Sequence, residues 1–210
     1  MVRPLKTPPG PGKTRDLAEE REPAMSDAAQ PAPETRPEPR LADGSAPTTP
    51  EALLARLAEL GIAAETVAHE PLFTVEQSKA LRGQLPGGHT KNLFLRNKKG
   101  QMWLVTCLED RQVDLKALAA ALEGGRFSFG SAERLMANLG VIPGAVTPFA
   151  VINDRGGAVQ MVLDQGLLEH DPLNFHPLDN ARTTAISPEG LLRFLEAEGH
   201  PPRLLDLGAL

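Results

Sequence analysis

The chain has 210 residues, 41% of them hydrophobic, a formal net charge of -5 and one cysteine, Cys107. This is enough apolar material for a core, while a lone cysteine excludes an internal disulfide and a cysteine-cluster zinc site. No run approaches the ~20 apolar residues of a membrane span, the N-terminus lacks an apolar signal-peptide core, and Asp16, Glu19, Glu20 and Glu22 argue against a transit peptide, so a reducing cytoplasm is the expected compartment.

Residues 1–47 carry roughly half of the 20 prolines and few large apolar side chains, the composition of a disordered tail. Its "GPGKT" lacks the spacing and the preceding strand of a phosphate loop. An ordered domain is expected over 48–210. "TTPEALLARLAELG" predicts a helix with Thr49 as cap, Pro50 at the first position, a stripe of Leu53, Leu54, Leu57 and Leu60, and Gly61 as stop. A short strand is expected in "AAETVAH", and a helix in "TVEQSKALRG" from the capping-box spacing of Thr74 and Gln77. "HTKNLFLRN" and "QMWLVTCL" read as a hairpin around "KKG". There follow a helix in "VDLKALAAALEGG", a strand in "RFSFG" and a helix from Ser131 to Gly140. Beyond the loop "VIPGAVTP", strands are expected in "FAVIND", "AVQMVLD", "NFHPLD" and "RTTAI", then a last helix capped by Ser187 and stopped by Gly199. Irregular alternation with more hairpins than crossovers predicts an α/β single domain with a mixed central sheet and peripheral helices.

Charge is unevenly spread. Residues 79–134 hold roughly ten Lys and Arg against five Asp and Glu, whereas 135–210 hold roughly four against nine. Scattered solvated lysines and a localised polyanion-binding face both fit this pattern. Among reactive groups, the five histidines (His69, His89, His170, His176, His200) form no HExxH pair, and no GxSxG elbow is present. Metal chemistry and a serine nucleophile are therefore not expected, and Cys107 in a strand-like run reads as a buried, inert thiol. If the chain is a hydrolase, water attacks and the protein positions and polarises. Lys91 heads the apolar run Leu93-Phe94-Leu95, so its ammonium either snorkels or meets an anion in a cleft. "GVIPGAVTPF" sets Gly140, Pro143, Gly144 and Pro148 in one loop. That is either a tight connection or a stiff turn offering backbone N–H groups to a carbonyl gaining charge.

Together "TKNLFL", "GSAERLMANLGVIPGAVTPFAVIND", "HPLDNARTTAI" and "LLRFLEAEGHPP" resemble the freestanding prolyl-tRNA editing proteins of the YbaK/prolyl-tRNA-synthetase-associated-domain superfamily, most closely the alanyl-tRNA(Pro) deacylases. The resemblance runs from about residue 50 to the C-terminus. It implies a partly barrel-like sheet and metal-independent, cofactor-free hydrolysis of alanine mischarged onto proline tRNA. By position, Lys91 matches the family's active-site lysine with Asn92 beside it, "GAVTP" (Gly144 to Pro148, including Thr147) its G-x-x-x-P loop, and His176 a pocket residue, with Asn180 in the same "HPLxNxxT" pattern. The implied partner is mischarged proline tRNA through its acceptor stem and 3' end, with prolyl-tRNA synthetase a candidate second partner and no membrane or DNA involved. Arg96, Lys98, Lys99 and Arg126 are the expected phosphate contacts. Two alternatives stay open: a deacylase for cysteine or serine, and a non-catalytic module that binds tRNA or a synthetase.

Overall fold

The computed structural model describes residues 38–69 and 85–210, which fall in one unit, Glu38–Leu210. Helix α1, Pro50–Glu59, starts as its sequence dictates: the Thr49 side chain accepts from the Ala52 N–H, and Leu53 and Leu57 are buried. Helices α2 (Leu115–Ala121), α3 (Ala132–Leu139) and α4 (Pro188–Ala197) are capped by Asp114, Ser131 and Ser187. Each cap oxygen satisfies an N–H that has no partner inside its helix. Gly140 ends α3 in the left-handed region, φ 65°, where a side chain would be strained. The helix expected over 74–83 lies outside the described residues.

The strands are β1 (Ala64–Ala68), β2 (Gly88–Arg96), β3 (Met102–Leu108), β4 (Ser128–Phe129), β5 (Val159–Asp164), β6 (Leu173–Phe175), β7 (Arg182–Ile186) and β8 (Arg203–Leu205). They form one eight-stranded mixed sheet in the order β1-β7-β6-β2-β3-β5-β8, with β4 attached to β2. β2 and β3 are the expected antiparallel hairpin, while β2 pairs parallel to β6 and β3 parallel to β5.

Alternation along β2 separates two cores. Phe94 enters the larger one with Leu104, Leu139, Phe149, Phe175 and Phe194. Leu95 enters the smaller one, with Trp103, Val105 and Cys107 under Leu118 of α2. Among the described residues no helix is long and apolar enough to cross a membrane.

Three readings change. "FAVIND" is not a strand: Pro148–Asn153 is a 3₁₀ helix, with the Thr147 hydroxyl accepting from the Phe149 N–H. A short apolar run buried on every side carries no period, so length and flanks alone misassigned it. "NFHPLD" yields strand only as far as Phe175, which frees His176 to sit in the following turn. A 3₁₀ turn at Gln165–Glu169 and strand β8 had no periodic signal at all.

Residues 38–47, assigned to the tail by composition, carry fold contacts. Leu41 is 7% exposed, and the Ala42 N–H donates to the Ala137 carbonyl at 2.7 Å. Asn153 extends the tie by accepting from the Thr48 N–H at 2.8 Å and donating to the Leu139 carbonyl at 3.0 Å.

Candidate active site

β2 has one fully paired edge and one interrupted edge. Its partner β3 runs in register from Thr90 to Arg96. On the other side β6 covers Gly88 and His89, and β4 covers Leu95 and Arg96. Among the described residues, residues 90–94 therefore have no strand partner on that edge. Thr90 still reaches the Asn174 carbonyl through its hydroxyl, and the Phe94 carbonyl accepts from the Gly130 N–H. The gap lies over residues 90–94, with Asn92 at its centre.

Asn92 joins this gap to the glycine loop. Its amide N–H donates to the Val146 carbonyl at 2.8 Å, and its amide oxygen accepts from the Thr106 hydroxyl at 2.7 Å. Both halves of the amide are thus committed, which fixes its orientation. Within the loop the Ala145 N–H donates to the Ile142 carbonyl at 3.0 Å. No partner among the described residues takes the N–H of Gly144 or of Val146. Gly144 is exposed at φ 92° with open space where a Cβ would project, so backbone conformation rather than crowding calls for glycine there. Thr147 and Pro148 are buried. Their side chains shape the start of the 3₁₀ helix.

Lys91 lies on the opposite face of β2 from Asn92, paired in register with Cys107. Its ammonium is half-buried and donates to the Arg111 carbonyl. Burial, opposed by the Lys91 charge, pushes the Cys107 thiol up to about 11. The thiol therefore stays protonated near neutral pH, as expected of an inert cysteine.

His176 occupies the turn after β6. Its Nδ1 lies 2.9 Å from the Arg182 carbonyl, which can only accept, so Nδ1 carries the proton and Nε2 presents a lone pair. Burial holds the imidazole below its ordinary range, against the opposing effect of that hydrogen bond. The His69 ring lies 6.2 Å away between centroids. The turn is clamped from outside, because Arg182 pairs with Asp179 and with Glu51 of α1. Asn180 is half-buried in it. The structure thus joins Asn92 directly to the glycine loop, whereas Lys91 points from the other face of β2 to the Arg111 carbonyl and His176 lies in the turn after β6 with the Arg182 carbonyl as its partner.

Of the expected phosphate contacts, Lys98, Lys99 and Arg126 are exposed and Arg96 is half-buried. They gather at one end of the hairpin, since Arg96 pairs with Ser128 two residues past Arg126. None is in an ion pair among the described residues. Beside them stands Phe129, 60% exposed. The sequence offered only an alternating "RFSFG", which did not tell which phenylalanine faces solvent; Phe127 is the buried one. Thr106, Arg111 and Asp164 were also missed. Each is a single polar residue within or beside an apolar strand, and its partner is distant in sequence. Among the described residues no three His, Cys, Asp or Glu side chains gather as metal ligands.

Comparison with known proteins gives a consistent picture. A family model described as "Aminoacyl-tRNA editing domain" matches residues 69–194. A Bos taurus protein named "Prolyl-tRNA synthetase associated domain-containing protein 1" is 42% identical, over 74% of this chain and 93% of its own. The "Prolyl-tRNA editing protein ProX" of Acetoanaerobium sticklandii is 35% identical, over 75% of this chain and 96% of its own. A crystal structure presented as a candidate trans-editing enzyme for prolyl tRNA synthetase superposes with a TM-score of 0.60 at 18% identity, over 77% of this chain and 98% of its own. That last likeness concerns the fold alone. The family match spans more than half of the chain and the relatives align over nearly their full lengths, so this chain belongs to the aminoacyl-tRNA editing domain family.

Proposed function

We propose that the chain hydrolyses alanine mischarged onto proline tRNA, acting in trans in the cytoplasm and without a metal or other cofactor. The relatives' names supply the tRNA and the editing role. The observation that carries the chemistry is the strand-free edge of β2 over residues 90–94, together with the loop that Asn92 anchors, whose Gly144 and Val146 N–H groups have no partner among the described residues.

The 3' end of the tRNA would lie along this edge. The two loop N–H groups donate to the ester carbonyl as it gains negative charge, the arrangement that stabilises a tetrahedral intermediate. Lys91, reaching from the other face of β2, binds the terminal phosphate or ribose as a compact cation. Water attacks the carbonyl carbon, the bond to the ribose oxygen breaks, and that oxygen takes up a proton as free alanine leaves. The neighbouring ribose hydroxyl orients the water, which accounts for the missing protein base. His176, through Nε2, accepts a hydrogen bond from the substrate in the pocket. Pocket volume excludes larger acyl groups and spares the proline ring, since overpacking costs about 1–3 kcal/mol. Arg96, Lys98, Lys99 and Arg126 take phosphates farther along the acceptor stem, and Phe129 offers a stacking face among them.

Lys91→Ala tests this reading. Single-turnover deacylation should fall by about 10²-fold, the scale of a misplaced reactant, while binding of intact tRNA changes less. Lys91→Arg should rescue only in part, because a planar guanidinium does not replace an ammonium in a small pocket. A folded Lys91→Ala protein working at the wild-type rate removes Lys91 from the mechanism. Absence of hydrolysis in the wild type alongside tight tRNA binding supports the non-catalytic module instead.

A further inference from the structure

We propose that Arg111, locked by Asp164, is a positioning residue for Lys91, an inference that rests on the role given to Lys91 above. Lysine has a flexible four-carbon stem, so an ammonium that must meet one phosphate or ribose has to be restrained by something fixed. Here the restraint is the main-chain carbonyl of Arg111, which accepts from Lys91 Nζ. One of three ammonium donors is thereby used, and two remain for substrate.

The carbonyl is held in place through its own side chain. Arg111 Nε donates to Asp164 Oδ2 at 3.0 Å, and Asp164 is fully buried at the end of β5. The other carboxylate oxygen, Oδ1, accepts from the Leu207 N–H at 3.1 Å. The Arg111 N–H donates to the Leu108 carbonyl at 3.1 Å, which ties the same residue back to β3. Two glycines let the chain close around the guanidinium. A Cβ on Gly166 would lie 2.8 Å from Arg111 Nη2, and one on Gly208 would lie 2.6 Å from Nη1.

A fully enclosed carboxylate with a single guanidinium partner is weak evidence for stability, because desolvation offsets the attraction. It does fix registry: it sets the segment after β3 against the end of β5 and the chain leading to the C-terminus. The functional consequence is local, since the residue so fixed is the one whose carbonyl holds Lys91. Arg111 and Asp164 touch no substrate in this account and act only through the lysine.

The experiment is a double-mutant cycle on the full chain with alanyl-tRNA(Pro), combining Arg111→Met with Lys91→Ala. Melting curves and tRNA binding are recorded for each variant. Arg111→Met alone should slow single-turnover hydrolysis about tenfold, with tRNA affinity nearly unchanged. Placed on Lys91→Ala it should cause no further loss, because the group it positions is already gone. A purely structural role gives equal losses in both backgrounds, and that result overturns the proposal. So does a folded Arg111→Met protein with the wild-type rate. Should Arg111→Met fail to fold, Arg111→Lys, which keeps a cation for Asp164, enters the same cycle with the same expectation of no loss on Lys91→Ala. If Lys91→Ala itself retains full activity, the reading of Lys91 fails first, which separates that failure from an additive cycle.

Discussion

At the residue scale His176 makes the sharpest claim, because its protonation state follows from geometry. The Arg182 carbonyl fixes Nδ1 as donor, and burial disfavours the imidazolium. In the pH window below about 6.5, down to the depressed folded value, the unfolded chain therefore binds more protons at this site than the folded one. Its contribution to stability is present above that window and is lost as the pH falls through it. Catalysis should follow the same group. The acid limb of the single-turnover rate should lie below pH 6.5, and His176→Gln should remove that limb while lowering the plateau. An acid limb unchanged in the variant would show that another group titrates. Lys91, Asn92, Gly144 and His176 stand out in the sequence by their match to the family pattern. Their partners do not, because Val146, Thr106, Arg111 and Arg182 are brought to them by strand register and turn geometry. Strand alternation implies that neighbouring Lys91 and Asn92 point to opposite faces, but no local pattern tells what each meets there.

Among the elements, the hairpin of β2 and β3 carries the candidate site residues Lys91 and Asn92 and, at its turn end, Arg96, Lys98 and Lys99. Capping residues, glycine stops and the hairpin turn were readable, because each acts within a few residues of itself. Elements without a local signature were not: the buried 3₁₀ helix at Pro148–Asn153 has no period, and β8 is only three residues long. The cluster at the hairpin end supports a prediction on binding. Each lost phosphate contact lowers the slope of affinity against salt by about one. The quadruple alanine variant of Arg96, Lys98, Lys99 and Arg126 should bind tRNA more weakly and with a flatter salt dependence. Unchanged affinity and slope would mean that these cations are simply solvated.

For the molecule as a whole, composition set the boundary of order at residue 47, whereas packing begins earlier. Leu41 is buried, and Ala42, Pro47 and Thr48 sit against the end of α3 and Asn153. One leucine among prolines and charges is too sparse to register as a core position. A chain shortened to begin at Glu38 should melt like the full protein. One that begins at Pro47 loses the buried Leu41, worth about 1.5–3 kcal/mol, and should melt several degrees lower while keeping its rate per folded molecule. Equal melting temperatures would show that the 38–46 segment adds nothing.

The central claim concerns which ester is cut. Proline tRNA charged separately with alanine, cysteine, serine and proline, presented to the full chain under single-turnover conditions, tests it directly. The account predicts fastest hydrolysis of the alanyl ester, slower hydrolysis of the seryl and cysteinyl esters, since size alone discriminates weakly, and no hydrolysis of the prolyl ester. Preference for the cysteinyl or seryl ester, or hydrolysis of none, would contradict it.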